Sequence, residues 1–175
     1  MAKLKDIASD QIHEMAYKVM EQYHPELHEA EVKVSIFMVT AVDKFGSSMK
    51  HADAIMVRGI PALAVVKKAT TREMKLGSGD FIIEIDSWKW NDELDEQERI
   101  SLLDHEITHI NLKYDNKSGL PLATLDGRPE LVIKKHDVQV GVFLEVIARH
   151  KKKSVDYQNV YNMLHVTEMS LEQGE

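Results

Sequence analysis

The chain has no cysteine, which excludes disulfides, CxxC metal sites and thiol catalysis and suits a reducing compartment. It also has no surplus of positive charge. With 22 Lys and Arg against 29 Asp and Glu, the net charge is −7, so no global basic field recruits nucleic acid or an anionic membrane. No apolar run is long enough to span a bilayer, and the opening Met1-Ala2-Lys3-Leu4-Lys5-Asp6 lacks the apolar centre of a signal peptide. Repeats and low-complexity segments are missing too. These absences predict a cytoplasmic protein with no membrane partner, poorly suited to nucleic acid, whose partners are proteins, peptides or small molecules. Its 175 residues suffice for one domain with a real core.

Leu102-Leu103-Asp104-His105-Glu106-Ile107-Thr108-His109-Ile110 is an HExxH motif inside a run with helical apolar spacing. Residues four apart stand one turn apart on one helix face, so His105 and His109 can aim ring nitrogens at one point, about 2.0–2.1 Å from a zinc ion. Glu106, on the flank of that face, can take a proton from a metal-activated water without being a ligand. Ile100, Leu103, Ile107 and Ile110 cluster on the opposite side, which predicts a largely buried helix. Two buried histidines and a carboxylate with no metal would leave several polar atoms to satisfy, and this favours a metal site over a core role.

The rest of the chain reads as α+β. Ser9 offers a cap for a helix to Tyr23, stopped by Pro25, with His13, His24 and His28 as surface residues. Alternating apolar residues predict strands over 31–42, 52–57, 62–69 and 81–86. Asn91 or Asp92 would cap the active-site helix, placed over 93–112, with Glu93, Asp95, Glu96 and Glu98 favoured by its dipole. Turn residues around 122–125 and 131–133 suggest a hairpin. A third helix would open near His136 and close on Arg149-His150-Lys151-Lys152-Lys153, a solvated basic end. A last helix, capped by Ser154, would lead into a tail. The domain is thus placed over 1–153, with 154–175 as a C-terminal helix and tail of the same unit.

A catalytic zinc takes three protein ligands, so one more must follow His109. Asp115 fits one spacing, but Leu112 stands where a glycine would have to break the helix. Glu145 is a helical alternative. His136 ranks first, after a connection long enough to return the chain to the motif, with Asp137 beside it. Tyr114, Tyr157 and Arg128 are candidates to stabilise an oxyanion.

Asp80-Phe81-Ile82-Ile83-Glu84-Ile85, Trp90, the HExxH helix, Asp126-Gly127-Arg128-Pro129 and Lys135-His136-Asp137 together resemble the phage metallopeptidase family, which is similar in motif to minimal zincins such as the SprT-like group. The resemblance runs over about 32–149 and leaves the last helix outside. It implies a minimal zincin-like α+β fold, a small twisted sheet packed on the HExxH helix. It further implies a Zn2+ cofactor, His105 and His109 as ligands with His136 as the third, and Glu106 as the catalytic residue. It names no substrate. The expected function is zinc-dependent hydrolysis of peptide bonds in an intracellular protein, in a phage or prophage setting. Glu84, Asp86 and the net charge suggest a cleft that prefers extended, neutral-to-basic segments paired with a sheet edge. Two other classes stay open: a zinc-binding protein that acts by occupying a host factor, and a DNA-associated SprT-like protease using Lys67, Lys68 and the 149–153 cluster.

Overall fold

Alternating β-branched residues build the centre of the sheet. In the computed structural model, which describes residues 2–124, 127–136 and 142–161, β2 (Val34–Val42) runs parallel to β6 (Phe81–Asp86), with Ile36 opposite Ile83. Two antiparallel edge strands complete the order β1-β2-β6-β5: β1 (Ala2–Ile7) beside β2 and β5 (Ala64–Lys68) beside β6. One face of the sheet carries Ile36, Phe81, Ile83, Ile85 and Val66, all buried against α1 (Asp10–Tyr23) and α4 (Glu96–Thr108). From those helices Ala16, Val19 and Met20 meet Leu102, Leu103 and Ile107. Each fully buried aliphatic side chain there contributes roughly 1.5–3 kcal/mol.

On the other face Val39 and Ala41 pack against Ala54 and Ile55. The strand expected over 52–57 therefore forms only in part. Ala54 and Ile55 cover the sheet as irregular chain, while β3 (Met56–Val57) turns back on β4 (Ile60–Pro61) through Arg58 and Gly59, both at positive φ, as a tight hairpin turn requires. The strand β1 left no legible signal, because every residue of it is exposed and its registration comes from β2 and from Lys5 bonding Glu84 at 2.7 Å. A close approach pins the start of β6: the Asp80 amide bonds the Lys33 carbonyl at 2.6 Å, and a Cβ at Gly79 would clash with that same carbonyl.

The ends of the HExxH helix differ from expectation. Lys89–Glu93 forms a π-helical turn, and α4 begins after Asp95, whose side chain accepts from the Glu98 amide while Glu98 accepts from the Asp95 amide. That is a capping box, visible in the sequence as Asp-x-x-Glu, and it outcompetes Asn91 and Asp92. The C-terminus comes early because Ile110-Asn111-Leu112 forms β7, paired antiparallel with β8 (Leu131–Ile133). A non-local partner thus takes residues assigned to the helix, and the expected hairpin forms in shifted register: Ala123 stands opposite Pro129 and the Glu130 amide bonds the Leu122 carbonyl, while 131–133 pairs with β7. Short helices α2 (Pro25–Glu29) and α3 (Thr71–Lys75) occupy connections. His136 lies in irregular chain, and α5 (Leu144–His150) opens at the Phe143 cap; the first residues of the helix expected there, 137–141, lie outside the described residues. Residues 155–161 are helical, with Ser154 Oγ accepting from the amides of Asp156 and Tyr157, as a cap should; the expected tail lies outside the described residues.

Candidate metal centre

Helical spacing puts His105 and His109 on one side of the last turns of α4, and strand pairing delivers the third histidine. Ile110 registers with Ile133, so Lys134 follows directly: its amide donates to the His109 carbonyl and its carbonyl accepts from His109 Nδ1, both at 2.7 Å. Two residues on, His136 Nε2 stands 3.2 Å from His105 Nε2. One nitrogen from each of His105, His109 and His136 lies within 4.8 Å of the others, an arrangement that could hold a metal ion.

The donor set fits zinc on its own chemistry. A carbonyl only accepts, so His109 carries its proton on Nδ1 and presents a bare Nε2. Tetrahedral zinc with nitrogens at about 2.0–2.1 Å has ligand atoms roughly 3.3 Å apart, close to the His105–His136 separation. Behind the three rings, Phe143 is a shared apolar wall, with ring centres 4.9 Å from His105, 4.7 Å from His109 and 5.1 Å from His136.

Glu106 is buried beside the histidines. Desolvation pushes its carboxyl up to about 7, with Asp156 adding to the rise and with His105 and the Val66 amide opposing it. Burial lowers His109 to about 4 against the pull of the Lys134 carbonyl, and neighbouring His105 and His136 lower it further. Burial also disfavours the His105 cation, but Asp156 and Glu106 outweigh it and raise that group. The Val66 amide belongs to β5, an end strand of the sheet among the described residues. Leu63 and Ala69 bond β6 through Asp86 and Asp80, so by strand alternation Ala64, Val66 and Lys68 turn their backbone groups outward.

The alternative ligands are engaged elsewhere. Glu145 accepts from Lys134 Nζ at 2.9 Å, and Asp115 holds the amide and hydroxyl of Ser118 in a turn. Among the oxyanion candidates, Arg128 forks onto Asp80 at 2.7 and 2.8 Å, Tyr157 stacks on Tyr161, and Tyr114 sits in the bridge to Pro121. Two of the three grounds for the expected charge preference are engaged within the fold. Glu84 pairs with Lys5 and Lys67, and buried Asp86 accepts from the Ala54 amide at 2.7 Å.

Two further expectations are overturned on the opposite flank of α4. His24, expected at the surface, is buried with Nε2 2.8 Å from Asp104 Oδ1. Arg149 and His150, expected in a solvated helix end, reach the same carboxylate: Arg149 bonds it through two nitrogens at 2.7 and 2.9 Å, and His150 Nε2 lies 2.8 Å from Oδ2. Burial pushes the Asp104 carboxyl up, but the bonds from His150, His24 and Arg149 win and hold it far below the usual range. Asp104 and Asp156 carried no spacing signal, because the histidine and arginine partners of Asp104 lie 45 to 80 positions away and Asp156 lies far along the chain from His105.

The family called Putative phage metallopeptidase matches residues 5–165, and the chain belongs to it. The match includes the helical segment around Asp156 that the motif resemblance had left out. Neither a curated protein nor a solved structure matches the chain. Among the described residues no helix is long and apolar enough to cross a membrane.

Proposed function

We propose that this protein is a zinc-dependent peptidase in which His105, His109 and His136 hold the metal and Glu106 is the catalytic residue. The observation that carries the reading is the convergence of three imidazole nitrogens beside a buried glutamate whose proton affinity sits near neutrality. When bound, zinc would lower the pKa of water towards 7 and polarise the peptide carbonyl. Glu106 takes the proton from the attacking water and returns it to the leaving amine, and its burial, which raises its proton affinity in the metal-free protein, favours it as the proton acceptor. Lys134 and Phe143 keep the histidines aimed and exclude water on one side.

The substrate is an extended protein segment added to the outward backbone groups of Ala64 and Lys68 and the carbonyl of Val66, beside the Val66 amide that Glu106 holds. Such pairing reads backbone shape more than side chains. Engagement of Lys67 with Glu73 and Glu84, of Arg149 with Asp104 and of Lys153 with Asp95 weakens the alternative of a DNA-associated enzyme, since these are among the cations that it needs. A cytoplasmic site of action in a phage or prophage setting accords with the family and the lack of cysteine. The test is metal analysis of the purified chain followed by proteome-wide cleavage profiling against Glu106→Gln. About one zinc per chain with cleavage lost in the variant is expected; equal cleavage by both would refute the assignment of Glu106.

A further inference from the structure

We infer that Asp156 is the positioning residue of this centre, setting which nitrogen of His105 carries the proton and so aiming its Nε2 at the metal. The inference rests on reading the three histidines as a metal centre. Asp156 is fully buried on the helical segment 155–161, far in sequence from the motif. Its two oxygens are divided: Oδ2 accepts from the Phe143 amide at 3.1 Å, and Oδ1 stands 2.7 Å from His105 Nδ1. That second contact is close in distance but falls short of a hydrogen bond in angle, and among the described residues neither buried atom has another hydrogen-bond partner. Two such atoms facing each other define a pair waiting on a small rotation of the ring. A carboxylate accepts and does not donate, so the pair selects the tautomer with hydrogen on Nδ1 and leaves Nε2 bare, facing His136 Nε2.

The same carboxylate fixes the wall. By holding the Phe143 amide, Asp156 places the ring that touches all three histidines, so one side chain sets both the aim of a ligand and the surface behind it. His109 receives the equivalent service from the Lys134 carbonyl. The two motif histidines are thus oriented by two separate devices, one from the backbone after β8 and one from the last helical segment.

Replacement by asparagine separates positioning from mere packing. In Asp156→Asn the amide oxygen can still accept from Phe143, which turns the NH2 group towards His105 Nδ1. That arrangement favours hydrogen on Nε2, the nitrogen that faces His136, and so blocks it as a ligand. The experiment measures zinc and cobalt affinity of wild type and variant by chelator competition, and reads the tautomer of His105 in the metal-free proteins by side-chain nitrogen NMR at alkaline pH, where the ring is neutral. We expect Nδ1–H in wild type, Nε2–H in Asp156→Asn, and a 10–100-fold weaker metal affinity in the variant. Wild-type His105 protonated on Nε2 would overturn the inference without needing any variant. Affinity within two-fold of wild type in a folded Asp156→Asn would overturn it too, while leaving the metal reading intact. Failure of wild type to bind either metal would remove the metal reading itself.

Discussion

The two flanks of α4 hold buried polar clusters of opposite design. Around Asp104, one carboxylate meets His24, Arg149 and His150, and its oxygens are used up inside the protein. One residue along the helix, the cluster around His105 keeps ring nitrogens aimed at a shared point. The first gathers α1, α4 and α5 about a closed network, and the second, among the described residues, leaves His136 exposed. A buried charge that is fully paired can hold a scaffold, whereas imidazole nitrogens gathered about one point can hold a ligand from outside. Neighbouring positions in sequence therefore serve rigidity and chemistry separately, because adjacent helix residues point about 100° apart.

Breaking the closed cluster should have the largest effect. Asp104→Ala strands Arg149 without its buried partner and is expected to cost about 3–5 kcal/mol of stability in denaturant unfolding. Glu106→Gln, on the open side, should leave the fold and metal content unchanged and lower the rate of peptide hydrolysis by about 10²–10⁴-fold. A next contrast lies among the ligand candidates. His136→Ala should weaken zinc by more than about 100-fold in chelator competition, and Glu145→Ala should change it little, because Glu145 is occupied by Lys134. The opposite ranking would move the third ligand to Glu145.

Acidity sharpens the same contrast in the metal-free protein. Glu106 is raised from 4.5 to about 7, so the folded state takes its proton first; this contribution to stability is present below pH 4.5 and lost as pH rises through about 7. Asp104 is held below 3.8, so its contribution is present above that value and lost as pH falls. Subtracting the unfolding free energy of Glu106→Gln from that of wild type should therefore give a curve that falls between pH 4.5 and 7. A flat difference would show that the glutamate is not desolvated. The smallest effect belongs to a site far from both clusters: Thr70→Ala removes the α3 capping box with Glu73 and should cost about 1 kcal/mol in thermal unfolding.

Much of this protein is written locally. Period-two alternation in 34–42 and 81–86 and the helical run from Asp10 to Tyr23 are legible because the side that each buries repeats at the element's own spacing. The i, i+4 histidines and the glutamate between them are equally local. The boundaries of α4 show where this stops. Its start was readable as Asp95-x-x-Glu98 but competed with nearby caps, and its end was set by β8, a strand about twenty residues away.

The sequence by itself determined the α+β class and the HExxH half of the centre, since both rest on contacts within a few residues of each other. Only the tertiary structure decided the rest. It brought His136 to the motif through the β7–β8 register, placed Val66 beside Glu106, and turned His24, Arg149 and His150 inward onto Asp104. It also seated Asp156 behind His105. No periodicity records such pairs, because a buried charge and its partner need only meet in space, at whatever separation the chain's path happens to leave between them.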